Sequence, residues 1–252
     1  MIYVTGDCHG NFARFEQKNF PEQANMTKDD TVIITGDFGG VWFGDSRDDE
    51  TLDWLERLPF TLVFVCGNHE NYDALARYPV AEWRGGKVHR IRPHVLYLMR
   101  GQIFELESYR FFTMGGAKSH DIEDGILEPD APDFERRLTM LQRKPRARYR
   151  INHISWWAQE LPSDEEYAEA RRTLDAVGWT SSPTALPPAS PSWGSVTTRR
   201  TGSQTSCKRY GKEQNTTTGC SATTTTTEPL TKSTSCFGNR SCRSAKIQRK
   251  RQ

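Results

Sequence analysis

The sequence lacks the features that would place it among membrane-bound or disulfide-stapled proteins. No apolar run reaches the roughly 18 residues that a membrane-spanning helix needs, and no basic and then apolar opening indicates a signal peptide. The six cysteines show no C-x-x-C spacing, so the pattern indicates no zinc site of that kind. We therefore expect a cytoplasmic protein with no membrane partner.

A second absence divides the chain. Residues 180–252 contain no aspartate and no histidine; they hold 12 Lys and Arg, two Glu, and 28 Ser or Thr. Residues 1–179 hold 22 Lys and Arg against 30 Asp and Glu. A stretch with so few apolar residues and a one-sided charge rarely buries enough surface to offset its chain entropy. The composition predicts a globular domain over residues 1–179, followed by a Ser/Thr-rich basic tail, disordered, over residues 180–252.

Three short apolar runs in the first part share one pattern: a strand rich in β-branched residues, then Gly, then a polar residue. They are IYVTGD (2–7), TVIITGD (31–37) and TLVFVCGNHE (61–70). Amphipathic stretches separate them, NFARFEQKNF (11–20) and DDETLDWLERL (48–58). Alternating strands and helices predict an α/β fold with a parallel sheet. The polar residues would meet in one crevice, outside the carboxyl ends of the strands.

The pattern changes after residue 85. Short apolar runs with brief turns between them, KVHRIR, HVLYLM, QIFELE and YRFFTMGGA, predict antiparallel strands. The stretch LPSDEEYAEARRTLDAVGW (161–179) then predicts a helix, with Ser163 as its N-cap and Glu166 completing a capping box.

The polar residues at the three strand ends form a candidate metal site. They are Asp7, His9, Asp37, Asn68 and His69. Taken singly, each has an ordinary explanation as a helix cap, a turn former or a solvated loop residue. Together they supply carboxylate, imidazole and amide donors, which Mn, Fe, Zn and Ni accept. The pattern predicts two divalent metal ions that clamp a phosphoryl group, with Asp37, on the middle strand, between them.

The motifs GDCHG, GDFGG and GNHE, in this order and each after a strand, resemble those of the calcineurin-like metallophosphoesterases. The resemblance covers roughly residues 1–179 and implies a four-layer αββα sandwich. It implies hydrolysis of a phosphate ester by a metal-bridged hydroxide, and the same clamp suits monoesters, diesters, nucleotides and phosphoproteins. It places Asp7 and His9 on one metal, Asp37 between the two and Asn68 on the second. His69 would be the general acid that protonates the leaving oxygen.

Two positions stand apart from this pattern. Gly40 stands where the family's second motif usually has a second Asp, so a supporting group is missing or supplied elsewhere. His120 follows a strand and a Gly pair and is a candidate substrate-binding residue, although an ordinary surface loop explains it equally well.

The tail lacks the histidines that the resemblance leads us to expect, a Thr-His after a fifth strand and a late Gly-His-x-His, because no histidine follows His153. Threonine is encoded by ACN. If the reading frame is shifted so that each codon starts on the third base of the original codon before it, Thr223–Thr227 read as five NAC codons. NAC encodes His, Tyr, Asn or Asp, so the shifted run permits His-x-His. The junctions from Trp179 to Ala185 then permit Asp, two apolar residues and Thr-His-Cys.

We hypothesise from these two sites that the tail is a frameshifted, out-of-frame product, and that catalysis by this chain is impaired. The alternative is a genuine basic tail on a non-catalytic binding module, which would bind nucleic acid or another anion. Nucleic acid is thus a partner either as substrate or through the tail.

Overall fold

The computed structural model describes residues 1–178 and three later strands, at residues 195–200, 221–224 and 245–246. The strands, in chain order, are β1 (Ile2–Thr5), β2 (Thr31–Thr35), β3 (Thr61–Val65), β4 (Val80–Trp83), β5 (Gly86–Arg92), β6 (Val95–Leu98), β7 (Gln102–Leu106), β8 (Tyr109–Met114), β9 (Ile126–Leu127), β10 (Arg150–Ile151), β11 (Ser195–Arg200), β12 (Ser221–Thr224) and β13 (Ala245–Lys246). The α-helices are α1 (Asp49–Glu56), α2 (Tyr72–Leu75), α3 (Phe134–Arg143) and α4 (Asp164–Ala176), and 3-10 helices span Ala13–Phe15, Pro21–Asn25 and Ala158–Glu160. Among the described residues, no helix has the length and apolar character that a membrane crossing requires.

The larger sheet has the strand order β13-β1-β2-β3-β6-β5-β4. Strands β1, β2, β3 and β6 are parallel to one another, whereas β13 is antiparallel to β1 and β5 is antiparallel to both β6 and β4. Every residue of β2 and β3 is buried, as expected for central parallel strands that are covered on both faces. The prediction of three parallel strands that end in the three motifs is confirmed.

The smaller sheet has the order β12-β11-β8-β7 and packs on one face of the larger sheet. Successive side chains of a strand point to opposite faces, so each buried strand contributes to two clusters. Ile33 and Val63 face Phe104 and Phe111 of the smaller sheet, and these residues form an apolar cluster between the two sheets.

Helices cover the two outer faces. The other face of β2 packs against α1, in a cluster that includes Val32, Ile34, Leu52 and Leu55. The outer face of the smaller sheet packs against α4, through Phe112, Met114, Ala170 and Leu174. The order α1, larger sheet, smaller sheet, α4 is the four-layer αββα sandwich that the resemblance implies.

Local predictions for the helices hold in part. α1 and the capping box of α4 are as predicted: Ser163 Oγ accepts from the Glu166 N–H, and the Glu166 carboxylate accepts from the Ser163 N–H. Residues 11–20, predicted to be helical, form only the 3-10 turn Ala13–Phe15. Phe15 and Phe20 both pack on Phe60, and residues five apart on a continuous helix would lie on different faces.

The described part of the chain after residue 179 consists of three strands, in the stretch whose composition predicts disorder. β11 pairs along β8, and β13 pairs along β1, where each edge offers backbone groups that any extended chain can bond. Part of the threonine run lies in β12, and threonine is a residue that strands favour. The rest of the tail lies outside the described residues, and the domain boundary at residue 179 stays a prediction.

Candidate metal centre

The loops after β1 and β2 bring Asp7, His9 and Asp37 together. The two strands are parallel neighbours in register, with Thr5 opposite Ile34, so both loops leave the sheet at the same edge. His9 Nε2 lies 3.9 Å from Asp7 Oδ2 and 3.6 Å from Asp37 Oδ2. One ligand atom from each of the three residues lies within 4.8 Å of the others, so the group could hold a metal ion.

Two of these three residues have a backbone conformation that is rare for residues other than glycine. His9 has a φ of 49° and Asp37 a φ of 38°, both in the left-handed region. Hydrogen bonds between the loops hold this conformation: the N–H groups of Cys8 and His9 donate to the Asp37 carbonyl at 3.0 and 2.7 Å. Backbone strain concentrates at functional sites, and here it is held at two donors of the candidate centre.

The loop after β3 completes the arrangement. The His69 backbone N–H donates to Asp37 Oδ1 at 2.9 Å, and the His69 ring lies 5.2 Å from the ring of His9. The Asn68 amide nitrogen donates to Ser119 Oγ at 3.3 Å. The structure therefore places all five predicted site residues at one end of the parallel strands, and three of them form the donor group.

Glycines leave room for the carboxylates. A Cβ built on Gly67 would lie 1.9 Å from Asp37 Oδ1, and one built on Gly36 would lie 3.0 Å from Asp7 Oδ1. Any larger residue at position 67 would displace the Asp37 carboxylate. Because this space and the oxygen and nitrogen donors match what borderline divalent metals require, the residues fit a metal ion.

A model of the calcineurin-like phosphoesterase family matches residues 1–211. The chain belongs to this family. Among curated proteins, it is similar to lariat debranching enzyme A of Xenopus laevis, with 27% identity over 50% of this chain and 26% of that protein. It is also similar to a lariat debranching enzyme of Danio rerio, with 23% identity over 50% of this chain and 24% of that protein. The chain thus spans about a quarter of the length of these relatives, and no solved structure matches it.

This chain departs from the family's second motif at Gly40, and side-chain packing explains the departure. A Cβ at position 40 would lie 2.6 Å from the ring of Phe38, so that ring occupies the space of the expected Asp side chain. The loop is instead held by Glu70, a fully buried carboxylate that accepts from the N–H groups of Phe38 at 2.7 Å and Gly39 at 3.3 Å. Burial raises the pKa of Glu70 to about 8. Glu70 is the last residue of the third motif, GNHE, but its role in holding this loop was not predicted from the sequence.

The surroundings of His69 include groups from a distant part of the chain. Burial lowers the pKa of His69, while the Asp37 charge raises it and the Arg150 charge lowers it. Asp121 forms an ion pair with Arg150, which fixes the loop after β8 beside the centre. His120 is exposed on that loop, and among the described residues no hydrogen bond or ion pair joins it to the donors. Its substrate-binding role stays a prediction.

Arg14 is a second residue of the site that was not predicted from the sequence. Its guanidinium donates to Thr5 Oγ1 at 2.8 Å, to the Gly6 carbonyl at 2.9 Å, and to the Asp7 carbonyl. These three bonds hold the chain where β1 ends and the donors begin. Only its position in the 3-10 turn after the first motif could have indicated this role.

Proposed function

We propose that the chain hydrolyses phosphate esters with the help of divalent metal ions. The observation that carries the proposal is the convergence of three donor atoms, from Asp7, His9 and Asp37, within 4.8 Å at the ends of parallel strands. Membership of the calcineurin-like phosphoesterase family supports the same reaction.

The residues present suggest which ions they would hold. Asp7, His9 and Asp37 suit one ion, and Asp37 with Asn68 would contact a second; Mn, Fe, Zn and Ni all accept such donors. When bound, two ions would polarise the phosphoryl oxygens and lower the pKa of a water molecule.

His69 is the proposed proton donor to the leaving oxygen. Its side chain is partly buried, its backbone N–H donates to the Asp37 carboxylate, and its ring lies 5.2 Å from the His9 ring. General acid catalysis needs a proton donor within hydrogen-bond reach of the reacting group, most often a histidine, and the position of His69 beside the metal donors supports that role.

We propose further that activity is impaired in this chain. For the second ion, the three motifs supply only the oxygens of Asp37 and Asn68, fewer than the four or more ligands that such ions usually take. The chain contains no histidine after His153 that could add a donor. We therefore expect the first ion, held by Asp7, His9 and Asp37, to bind weakly, and the second ion to bind more weakly still.

A phosphodiester is the substrate class we favour. The curated relatives are named as enzymes that debranch lariats, and this is what supports a diester over a monoester for this chain. Comparing the hydrolysis of bis(p-nitrophenyl) phosphate and p-nitrophenyl phosphate tests the preference, and faster turnover of the monoester would contradict it.

Asp37→Asn tests the proposed function. The purified chain is stripped with EDTA, reloaded with Mn²⁺ and assayed with both esters. We expect Asp37→Asn to lower kcat by at least about 100-fold, because the carboxylate shared by both ions is lost. Asp45→Asn, at a half-exposed carboxylate paired with Arg47, is the matched control and should keep normal turnover. Unchanged rates for Asp37→Asn, or activity that survives EDTA, would overturn the proposal.

A further inference from the structure

A chain of hydrogen bonds links Asn68 to the 3-10 helix Ala158–Glu160. The Asn68 amide nitrogen donates to Ser119 Oγ at 3.3 Å, and Ser119 Oγ donates to Glu160 Oε2 at 2.5 Å. The Ser119 backbone N–H donates to the other oxygen, Glu160 Oε1, at 2.9 Å. Ser119 is 4% exposed and Glu160 is 2% exposed, so water competes little for these bonds.

The direction of these bonds decides which atom of the Asn68 amide is free. An ionised carboxylate only accepts, so the single hydroxyl hydrogen of Ser119 points to Glu160. Ser119 Oγ can then only accept from Asn68, which turns the NH₂ group of the amide toward Ser119. The amide oxygen, which is the atom that metals bind, is left on the other side.

Glu160 is held in place by bonds on its own backbone and on its neighbours. Its N–H donates to the Trp157 carbonyl at 3.0 Å, and the Arg100 guanidinium donates to the Gln159 carbonyl at 2.8 Å. Trp157 is buried, and its indole N–H donates to Asp73 Oδ2 at 2.7 Å. The acceptor that orients Ser119 is therefore a fixed point of the fold.

We propose that Ser119 and Glu160 are positioning residues that present the amide oxygen of Asn68, rather than its nitrogen, to the metal centre. The inference rests on the proposed role of Asn68 as a metal donor. Partners that orient a metal ligand typically contribute about 10- to 100-fold to metal affinity.

Glu160→Gln is the sharpest test, because it keeps the shape but reverses the bonds. The Gln oxygen still accepts from the Ser119 N–H, so its NH₂ group faces Ser119 Oγ and donates to it. The Ser119 hydroxyl then donates to Asn68, and the amide turns its NH₂ group toward the metal. We expect the weaker of the Mn²⁺ affinities, measured by electron paramagnetic resonance, to fall about 10- to 100-fold.

Ser119→Ala removes the link without reversing it. The Asn68 amide is then free to take either orientation, so the affinity should fall only about twofold to fivefold. Thr113→Val is the matched control, since it deletes another buried hydroxyl bond, to the Met99 carbonyl at 2.7 Å, on β8. It should leave Mn²⁺ binding unchanged. If the substitutions acted only by destabilising the fold, all three variants would have a lower melting temperature, but their Mn²⁺ affinities would not decrease in the order Thr113→Val, Ser119→Ala, Glu160→Gln.

The outcomes separate this inference from the proposed function. If the unsubstituted chain binds no Mn²⁺, both are overturned. If it binds Mn²⁺ and Asn68→Ala does not weaken the binding, Asn68 is no donor and the inference is overturned. If Asn68→Ala weakens the binding but Glu160→Gln does not, the inference alone is wrong.

In the metal-free protein, the ¹⁵N resonance of the Asn68 side-chain amide should shift in Glu160→Gln and stay in place in Thr113→Val.

Discussion

Gly67→Ala is expected to disable the metal centre through a single methyl group. The new Cβ would lie 1.9 Å from Asp37 Oδ1 and 2.6 Å from the Asp37 backbone nitrogen, whereas ordinary contacts begin at 3.4 Å. The carboxylate would have to move by about 1.5 Å. Asp37 has little freedom to move, because its backbone φ is 38° and its backbone carbonyl accepts two hydrogen bonds from the loop after β1.

The magnitude follows from this overlap. Overpacking of this kind costs about 1–3 kcal/mol of stability. Displacing a metal donor by more than 1 Å should weaken metal binding more than it lowers the stability of the fold. We therefore expect the Mn²⁺ affinity to fall at least about 100-fold. Metal titration gives the affinity and urea unfolding gives the stability.

Gly86→Ala is the control for this prediction. Its Cβ would lie 2.7 Å from the Phe104 ring, in the cluster between the two sheets and away from the donors. It should cost a similar amount of stability and leave Mn²⁺ affinity unchanged. If Gly67→Ala bound Mn²⁺ normally, or if both variants lost affinity equally, the argument from the Asp37 carboxylate would be refuted.

Three further predictions concern the core, a helix cap and the tail. Leu55→Ala, at a fully buried position between α1 and the larger sheet, should lower the free energy of unfolding by about 2–5 kcal/mol in urea, and a loss well below this would show that α1 is not part of the core. Ser163→Ala should cost about 1 kcal/mol because the capping box of α4 is lost, whereas Ser163→Asp should keep most of the stability; equal losses would contradict the capping role. The coding DNA read in the shifted frame should spell Thr-His near Thr184 and His-x-His near Thr223, and a stop codon between the two would end the frameshift hypothesis.

The sequence by itself was enough to predict the three motif strands and the residues that follow them. Each strand is a run of β-branched residues closed by Gly and a polar residue, which is a pattern of a few neighbouring residues. Parallel strands bring such ends to one edge, so the gathering of Asp7, His9 and Asp37 followed from local pattern and one packing rule. The capping box at Ser163 was predictable for the same reason.

Tertiary contacts decided what local pattern could not. The stretch after the first motif is helical in periodicity, yet Phe15 and Phe20 pack on Phe60, and this contact overrides the local preference. Among the described strands after residue 179, β13 and β11 form on the edges of β1 and β8, where backbone hydrogen bonds are available whatever the side chains are.

The orientation of the Asn68 amide shows the same limit at the site itself. Its partner Ser119 is 51 residues away in sequence, and the acceptor that directs Ser119 is a further 41 residues on. The motif GNHE supplies a side chain that can bind a metal by its oxygen or turn its nitrogen toward it. Only the folded chain, which buries Ser119 and Glu160 beside that loop, selects between the two, because a hydrogen bond has a direction and the carboxylate at its end can only accept.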